Sequence, residues 1–184
     1  MKTTKEASAH HRAALLEAAS GLFRERGFEG VSIADIAAAA GLTHGAFYTH
    51  FASKEALCAE VVEQAIGEMA ARVKRVKRRE RVEFYLSAGH AKDRAGGCAL
   101  AALSGDVARG RRKVRVAFSG ALECLIDALA QEESAGATPA RDRAIVAMAT
   151  RLGALALARA TADPKLRDEI LTAARHALIG PGSG

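Results

Sequence analysis

The sequence is poor in aromatic residues and in proline. Among its 184 residues are six Phe, two Tyr, no Trp and three Pro. Few prolines and few β-branched runs leave little to favour strands, whereas Ala and Leu, both strong helix formers, are abundant. A core without Trp must be built from Leu, Ala, Val and Ile at short distances between helices. We therefore expect an all-α protein.

Cysteine is scarce, and long apolar runs are missing. Cys58, Cys98 and Cys124 are an odd number at irregular spacing, which favours neither a disulfide framework nor a C-x-x-C metal site. The longest apolar stretch, 144–158, is interrupted by Arg151 and is too short to span a bilayer. The first thirty residues lack the apolar segment of a secretory signal. We therefore expect a cytoplasmic protein with no membrane partner, bound metal or cofactor.

The charge balance is basic, but the basic residues are unevenly distributed. The net charge of +6 is compatible with a polyanionic partner, yet residues 1–54 carry six Lys and Arg against five acidic residues. The dense basic stretches are 72–81 and 109–115. We interpret both as solvated helix ends and loops, with proximity to DNA as the alternative. Apolar residues make up 49% and charged residues 26%, an ordinary globular composition.

Helical spacing and capping residues predict about nine helices. The first is expected over about Ser8–Arg26, where Gly27 ends it. Ser32 and Thr43 are expected to cap two short helices, the second running from about His44 to His50, and Ser53 to cap a long fourth helix. The later helices are expected near 81–87, 98–107, 114–129 and 144–159, with a last one beginning at Asp163-Pro164. Residues 88–97 and 134–139 are expected to be loops, and 181–184 a frayed tail.

The segment from Ile33 to Lys54 has the pattern of a helix-turn-helix. Two short helices that cross closely need a small residue at the crossing, Ala37, and a glycine in the tight turn, Gly41. The residues expected to face inward are Ile36, Leu42, Ala46 and Phe47. Those expected to point outward are polar or small, as a face lying in the major groove requires: Thr43, His44, Gly45, Tyr48 and Thr49, with His50 near the helix end.

The span from about His11 to Val62 resembles the DNA-binding domain of TetR-family repressors. The matching pieces are Ser32, Ile36-Ala37, Ala40-Gly41, Thr43-His44-Gly45, Tyr48-Thr49-His50-Phe51 and Lys54-Glu55-Ala56-Leu57. The resemblance implies an N-terminal three-helix DNA-binding domain, residues 1–54, and a C-terminal helical domain for ligand binding and dimerisation, residues 55–184. It also implies a ligand-responsive repressor that binds palindromic double-stranded operator DNA as a homodimer, and no enzymatic activity.

The resemblance also implies roles for individual residues. Contacts to DNA phosphates are implied for Ser32, Thr43, Tyr48 and Lys54, and Gly45 would let the DNA backbone come close. His44 and Thr49 are the candidates for base contacts, while His50 is open between packing and DNA contact. Many relatives carry a different polar residue at the position of His44, which leaves the operator sequence open.

The C-terminal half carries a weaker resemblance. Around Gly97-Cys98 the sequence looks like one subgroup of these regulators, and the last two helices would form the dimer interface. Small residues there allow close approach: Ala147, Gly153, Ala154, Ala156 and Ala158. An effector pocket is expected to include Phe84, Tyr85, Cys98, Phe118, Leu122 and Met148, although each also fits a plain core position. With few polar groups in that set, we expect a small apolar or weakly polar effector.

The same residues also bear on several other functions. Cys98 follows two glycines at a helix start, with Lys92 and Arg94 nearby, which suits a redox or electrophile sensor; the alternative is a small buried hydrophobe. A metal sensor would use His90, Cys98, Cys124 or His176, but no pair has ligand spacing. An enzyme is disfavoured because the sequence has no Ser-His-Asp pattern, paired carboxylates or Gly-rich phosphate loop. The sequence leaves the inducer, the regulated genes and the direction of regulation open.

Overall fold

The computed structural model describes residues 5–133 and 136–180, which form ten α helices and no strand. The expected tail at 181–184 and part of the expected loop at 134–139 lie outside these residues. The helices are α1 (Lys5–Arg26), α2 (Ile33–Ala39), α3 (His44–Phe47), α4 (Lys54–Val73), α5 (Arg78–Tyr85), α6 (Ala88–Lys92), α7 (Ala99–Arg109), α8 (Arg112–Ala130), α9 (Ala140–Ala160) and α10 (Pro164–Ile179).

The ends of the first helices follow from the residues expected to cap them. Gly27 ends α1 with a φ of 71°, in the left-handed region that favours glycine. The hydroxyl of Ser32 accepts the backbone N–H of Asp35 at the start of α2, and that of Thr43 accepts the N–H of Ala46 in α3. Ser53 caps α4 in the same way. Local hydrogen bonds therefore divide the N-terminal segment into three helices before the long fourth one begins.

Two expectations about the elements were wrong. Residues 88–97 were expected to be a loop, but Ser87 accepts the N–H of His90 at 3.1 Å and begins the short helix α6. The helical turn is stabilised by this cap, which the glycine and polar residues of the segment obscured in the sequence. The helix α3 is also shorter than expected, because it ends at Phe47 and the next three residues form a turn. The number of helices is accordingly one more than predicted.

One continuous hydrophobic core runs through the described chain. In the N-terminal part, Phe23, Ile36 and Phe47 are completely buried, and the rings of Phe47 and Phe51 lie 5.7 Å apart. The long helix α4 packs against α1 at one end and along α8 over its length, while α9 packs against α8 and α10. Because α4 belongs to both groups of contacts, it connects the three-helix N-terminal part to the rest of the molecule.

Polar contacts strengthen this connection. Arg12 of α1 binds Glu60 of α4 at 2.5 Å, and Arg111 lies 3.8 Å from Glu55 near the start of α4. The basic stretch 109–115 therefore occupies the corner between α7 and α8, beside the N-terminal helices. In the described part of the chain no helix is long and apolar enough to cross a membrane.

Candidate nucleic-acid interface

The short helix α3 has one buried face and one exposed polar face. Phe47 is completely buried, whereas 54% of the Tyr48 surface is exposed. Leu42 and Ala46 are half-buried on the inner side. The residues on the outer side are all exposed: Thr43, His44, Gly45, Tyr48 and Thr49. The polar face of this helix is thus accessible to a partner.

Aromatic contacts hold this face in position. The Tyr48 ring lies edge-on to Phe47 at 5.3 Å and to His44 at 5.5 Å. Thr49 donates its hydroxyl to the Ala46 carbonyl at 2.7 Å, which fixes its side chain against the helix backbone. A Cβ added at Gly45 would have no atom within 4 Å, so this position faces open space. Two rings and one small residue therefore form a surface that a DNA backbone can approach closely.

Ser32 and Lys54, at the starts of α2 and α4, are differently placed for binding an anion. Ser32 is exposed, but its backbone N–H and its hydroxyl both donate to the Asp35 carboxylate, at 2.8 and 2.6 Å. These hydrogen bonds, the hydroxyl first, lower the pKa of Asp35. A phosphate contact by Ser32 would require one of the two donors to be released. Lys54, by contrast, is the first residue of α4, where the N-terminal N–H groups also favour an anion.

His50 lies between α3 and α1. It is half-buried, its ring centroid is 6.2 Å from that of His11, and Arg12 stacks over the neighbouring Phe51 ring at 4.8 Å. Burial lowers the pKa of His50, and the positive charges of His11 and Arg12 act in the same direction. The ring is therefore favoured in its neutral form and is positioned for packing between the two helices.

A cavity of about 250 Å³ lies between the helices of the C-terminal part. Phe84, Tyr85, Cys98 and Met148 line it. Phe118 and Leu122, also expected in the lining, do not; they are half-buried against the core on earlier turns of α8. The same helix instead contributes Leu125 and Leu129 to the cavity, because the later turns of α8 are the ones that lie beside it.

The expectation that few polar groups would surround an effector was wrong. Seven ionisable side chains join the lining from five helices: Arg24, Glu68, Arg72, Glu80, Arg81, His90 and Arg151. The sequence separates these residues by as many as 127 positions, so no local pattern connects them. The one available signal was Arg151 itself, a charged residue inside an otherwise apolar helix. Arginine is rarely buried unless its charge is paired, so a cation at such a position indicates a binding partner.

The three cysteines have different environments. Cys98 is buried, stands at the N-cap of α7, and lines the cavity together with Tyr85. Burial first, and then Cys98, raises the pKa of Tyr85, which keeps its hydroxyl protonated. Burial raises the pKa of the Cys58 thiol to about 12, whereas Cys124 is exposed. Within residues 5–133 and 136–180, no three His, Cys, Asp or Glu side chains cluster as metal ligands would.

Comparison with known proteins agrees with this geometry. The family model of bacterial regulatory proteins of the tetR family matches residues 15–61, which include α2, α3 and the start of α4. The transcriptional repressor DhaR of Mycobacterium is 40% identical over 55 residues, which are 30% of this chain and 28% of DhaR. The matched segment thus spans less than a third of that relative's length, and it is the segment that carries the helix-turn-helix.

Solved structures extend the similarity to nearly the whole fold. The reduced form of NemR from E. coli has a TM-score of 0.75 with 23% identity, covering 92% of this chain and 95% of NemR. AibR, solved in complex with isovaleryl coenzyme A and operator DNA, has a TM-score of 0.63 with 20% identity, covering 94% of this chain and all of AibR. The helix-turn-helix segment of this chain is thus similar in sequence to the tetR family of bacterial regulatory proteins, and its helical architecture has the fold of these solved structures.

Proposed function

We propose that this protein is a ligand-responsive transcriptional repressor that binds palindromic operator DNA as a homodimer in the cytoplasm. The observation that carries the proposal is the exposed polar face of α3, which is held outward by the buried Phe47 on the opposite side. In helix-turn-helix proteins such a face enters the major groove and contacts base edges. DhaR, which shares this segment, is a repressor, and AibR was solved with operator DNA.

In this proposal the residues of the interface divide into two groups. Lys54 and Tyr48 bind phosphates, assisted by the N-terminus of α4, and Thr43 and Ser32 add contacts at the helix starts. His44 and Thr49 contact base edges, where they decide which operator is bound. Residues 1–54 then act as the DNA-binding domain, and residues 55–184 as the effector-binding and dimerisation domain.

The last two helices are the proposed dimer interface. Large apolar side chains stay exposed on α9 and α10: Ile145 (38%), Val146 (64%), Leu157 (61%) and Leu166 (44%). Gly153 and Ala156 are exposed on α9 as well and would allow close approach of a second copy. A two-fold axis there would set the two α3 helices about 34–36 Å apart or somewhat more, the spacing of successive major grooves on one side of the duplex.

The test is a binding measurement on the duplex upstream of the protein's own gene, with a shuffled duplex of equal length as control. A dimer that neutralises about six to ten phosphates should lose about 10³- to 10⁵-fold in affinity between about 50 and 200 mM salt, and should prefer the native sequence at every salt concentration. Equal affinity for the two duplexes would refute operator recognition. In vitro transcription from the same promoter then distinguishes repression from activation.

A second candidate, an electrophile-sensing regulator of the same fold, is favoured by one observation: the Cys98 thiol lines the cavity beside Tyr85. The test uses protein in which Cys58→Ala and Cys124→Ser leave Cys98 as the only thiol. Alkylation with N-ethylmaleimide should then release the operator, and the additional change Cys98→Ser should prevent the release. Full alkylation with unchanged operator affinity would exclude this mechanism.

A further inference from the structure

We propose that the cavity binds a small organic anion, whose carboxylate or equivalent group pairs with Arg151. The inference names the effector class for the regulator proposed above and rests on that function for its biological meaning. The site itself can be tested without DNA.

Arg151 is a cation without an acidic partner. Its Nε donates to the Ala147 carbonyl of the same helix at 3.2 Å, and its guanidinium carbon lies 6.0 Å from the Tyr85 ring centroid. It forms no ion pair within the described parts of the chain. Burial lowers the pKa of Arg151 most; Tyr85 and Cys98 oppose this shift, and the positive charges of Arg81 and Arg78 act in the same direction as burial. A partly desolvated cation therefore faces the cavity with other cations nearby.

Two of the other arginines in the lining are already engaged. Arg81 forms an ion pair with Glu132 and donates to the Val73 carbonyl at 2.8 Å. Arg24 donates to the Ala95 carbonyl, and the negative charges of Asp93 and Glu68 stabilise its positive charge. The ion pair with Glu132 thus accounts for Arg81, and the Ala95 carbonyl with the nearby negative charges accounts for Arg24, whereas Arg151 has no acidic partner in the part of the chain that the structure describes.

The remaining charges lie toward solvent. Arg72 is exposed, with its guanidinium carbon 5.7 Å from the centroid of the Phe84 ring. Glu68 and Glu80 are exposed too, which allows water to screen their negative charge. An anion at Arg151 would gain a charge-assisted pairing in a place where water screens it least, whereas a neutral ligand would leave that cation unpaired.

The rest of the wall suits the body of such a ligand. Met69, Leu125, Leu129 and Met148 supply apolar surface around the cavity. The volume of about 250 Å³ corresponds to on the order of ten non-hydrogen atoms, taking a water molecule's share of about 30 Å³ as a guide. A monocyclic or short-chain carboxylate fits this volume. The cavity therefore favours a compact anion.

The experiment measures binding to the full-length protein by calorimetry, with a panel of three carboxylates and their neutral and cationic analogues. Benzoate, phenylacetate and hexanoate are compared with the corresponding amides and amines. We expect at least one acid to bind about tenfold more tightly than its amide, the difference expected for one charge-assisted hydrogen bond. Amides that bind as tightly as the acids, amines that bind best, or a panel without any binder would each overturn the proposal.

Variants of two arginines on α9 locate the site. Arg151→Met should weaken binding of the acid about tenfold or more and leave the amide unchanged. The matched control is Arg141→Met, which removes a charge that pairs with Glu123 at the protein surface and should change neither affinity. Because a partly buried cation without a counter-ion is lost, the unliganded Arg151→Met variant should also unfold at a higher temperature than the wild type. A lower unfolding temperature together with unchanged acid binding would refute the assignment.

Operator binding separates failure of the site from failure of the proposed function. If the acid binds at Arg151 but leaves operator affinity unchanged, the anion site stands and the effector role is wrong. If the protein binds its operator but no member of the panel, the regulator stands and the anion site is wrong.

Discussion

Gly27 lies against the carboxylate of Asp106, at the point where the end of α1 meets α7. A Cβ added at Gly27 would lie 3.1 Å from the Asp106 Oδ1 atom, closer than ordinary van der Waals contact. The backbone of Gly27 also has a φ of 71°. Both the left-handed conformation and the neighbouring side chain therefore select glycine at this junction between the helix-turn-helix and the C-terminal helices.

Replacing this glycine should destabilise the protein. Gly27→Ala places a Cβ in a left-handed conformation and against Asp106, and we expect a loss of about 1 kcal/mol or more in the free energy of unfolding. The control is Gly21→Ala, inside α1, where an added Cβ meets nothing within 4 Å. That change should stabilise by about 0.5–1 kcal/mol. Urea unfolding of both variants checks the signs, and a stabilised Gly27→Ala variant would contradict the conformational argument.

The two groups of DNA-contacting residues should respond differently to substitution. Lys54→Ala should weaken binding about equally on native and altered operators and reduce the salt slope by about one for each lost phosphate contact. His44→Ala should instead change which operator sequences are preferred, with a loss of about 1–3 kcal/mol on the native site. Fluorescence anisotropy on a set of single-base operator variants measures both effects. An unchanged affinity for Lys54→Ala would remove its assigned role.

The free energy of unfolding should decrease as the pH decreases, because His90 is buried in its neutral form. Its Nδ1 lies 2.7 Å from the Tyr85 carbonyl oxygen, which can only accept, so this nitrogen carries a hydrogen. Burial, the largest influence, lowers the pKa of His90 below its ordinary value. The unfolded chain, with a histidine pKa of about 6.5, then binds a proton before the folded protein does. The contribution of the neutral ring is present above about pH 6.5 and is lost as the pH falls toward the lower folded-state pKa.

The variant His90→Asn isolates this effect, because its amide can keep a donor toward the Tyr85 carbonyl but does not titrate. Thermal unfolding at about pH 7.5 and 5.5 should show a larger drop for the wild type than for the variant. Equal drops would mean that other groups, such as His50, cause the pH dependence.

The proposed dimer interface can be tested with two exposed valines. Val146 on α9 is 64% exposed and Val116 on α8 is 60% exposed. Because a charge in a desolvated apolar interface is unfavourable, Val146→Glu should shift the protein to monomer and weaken operator binding. Val116→Glu, outside the proposed interface, should leave both properties unchanged. Sedimentation velocity measures the assembly state, and a dimeric Val146→Glu variant would exclude this face of α9.

Local signals made the N-terminal part predictable. Ser32, Thr43 and Ser53 act on backbone N–H groups three residues ahead, so their effect is visible in a short stretch of sequence. The alternation between the buried Phe47 and its exposed neighbours follows from helical geometry alone. The same local logic failed at α6, where one cap outweighed a composition typical of a loop.

The sequence by itself determined the helical class, the order of the N-terminal helices and which side of α3 faces outward, because all three depend on interactions within about one helical turn. Only the tertiary structure decided what surrounds the cavity. Arg24, Arg81 and Arg151 come from three helices far apart in the chain, and their partners differ: Arg24 donates to the Ala95 carbonyl, Arg81 pairs with Glu132, and Arg151 forms no ion pair within the described residues. Charge pairing is a property of distances in space, and spacing along the chain does not encode it.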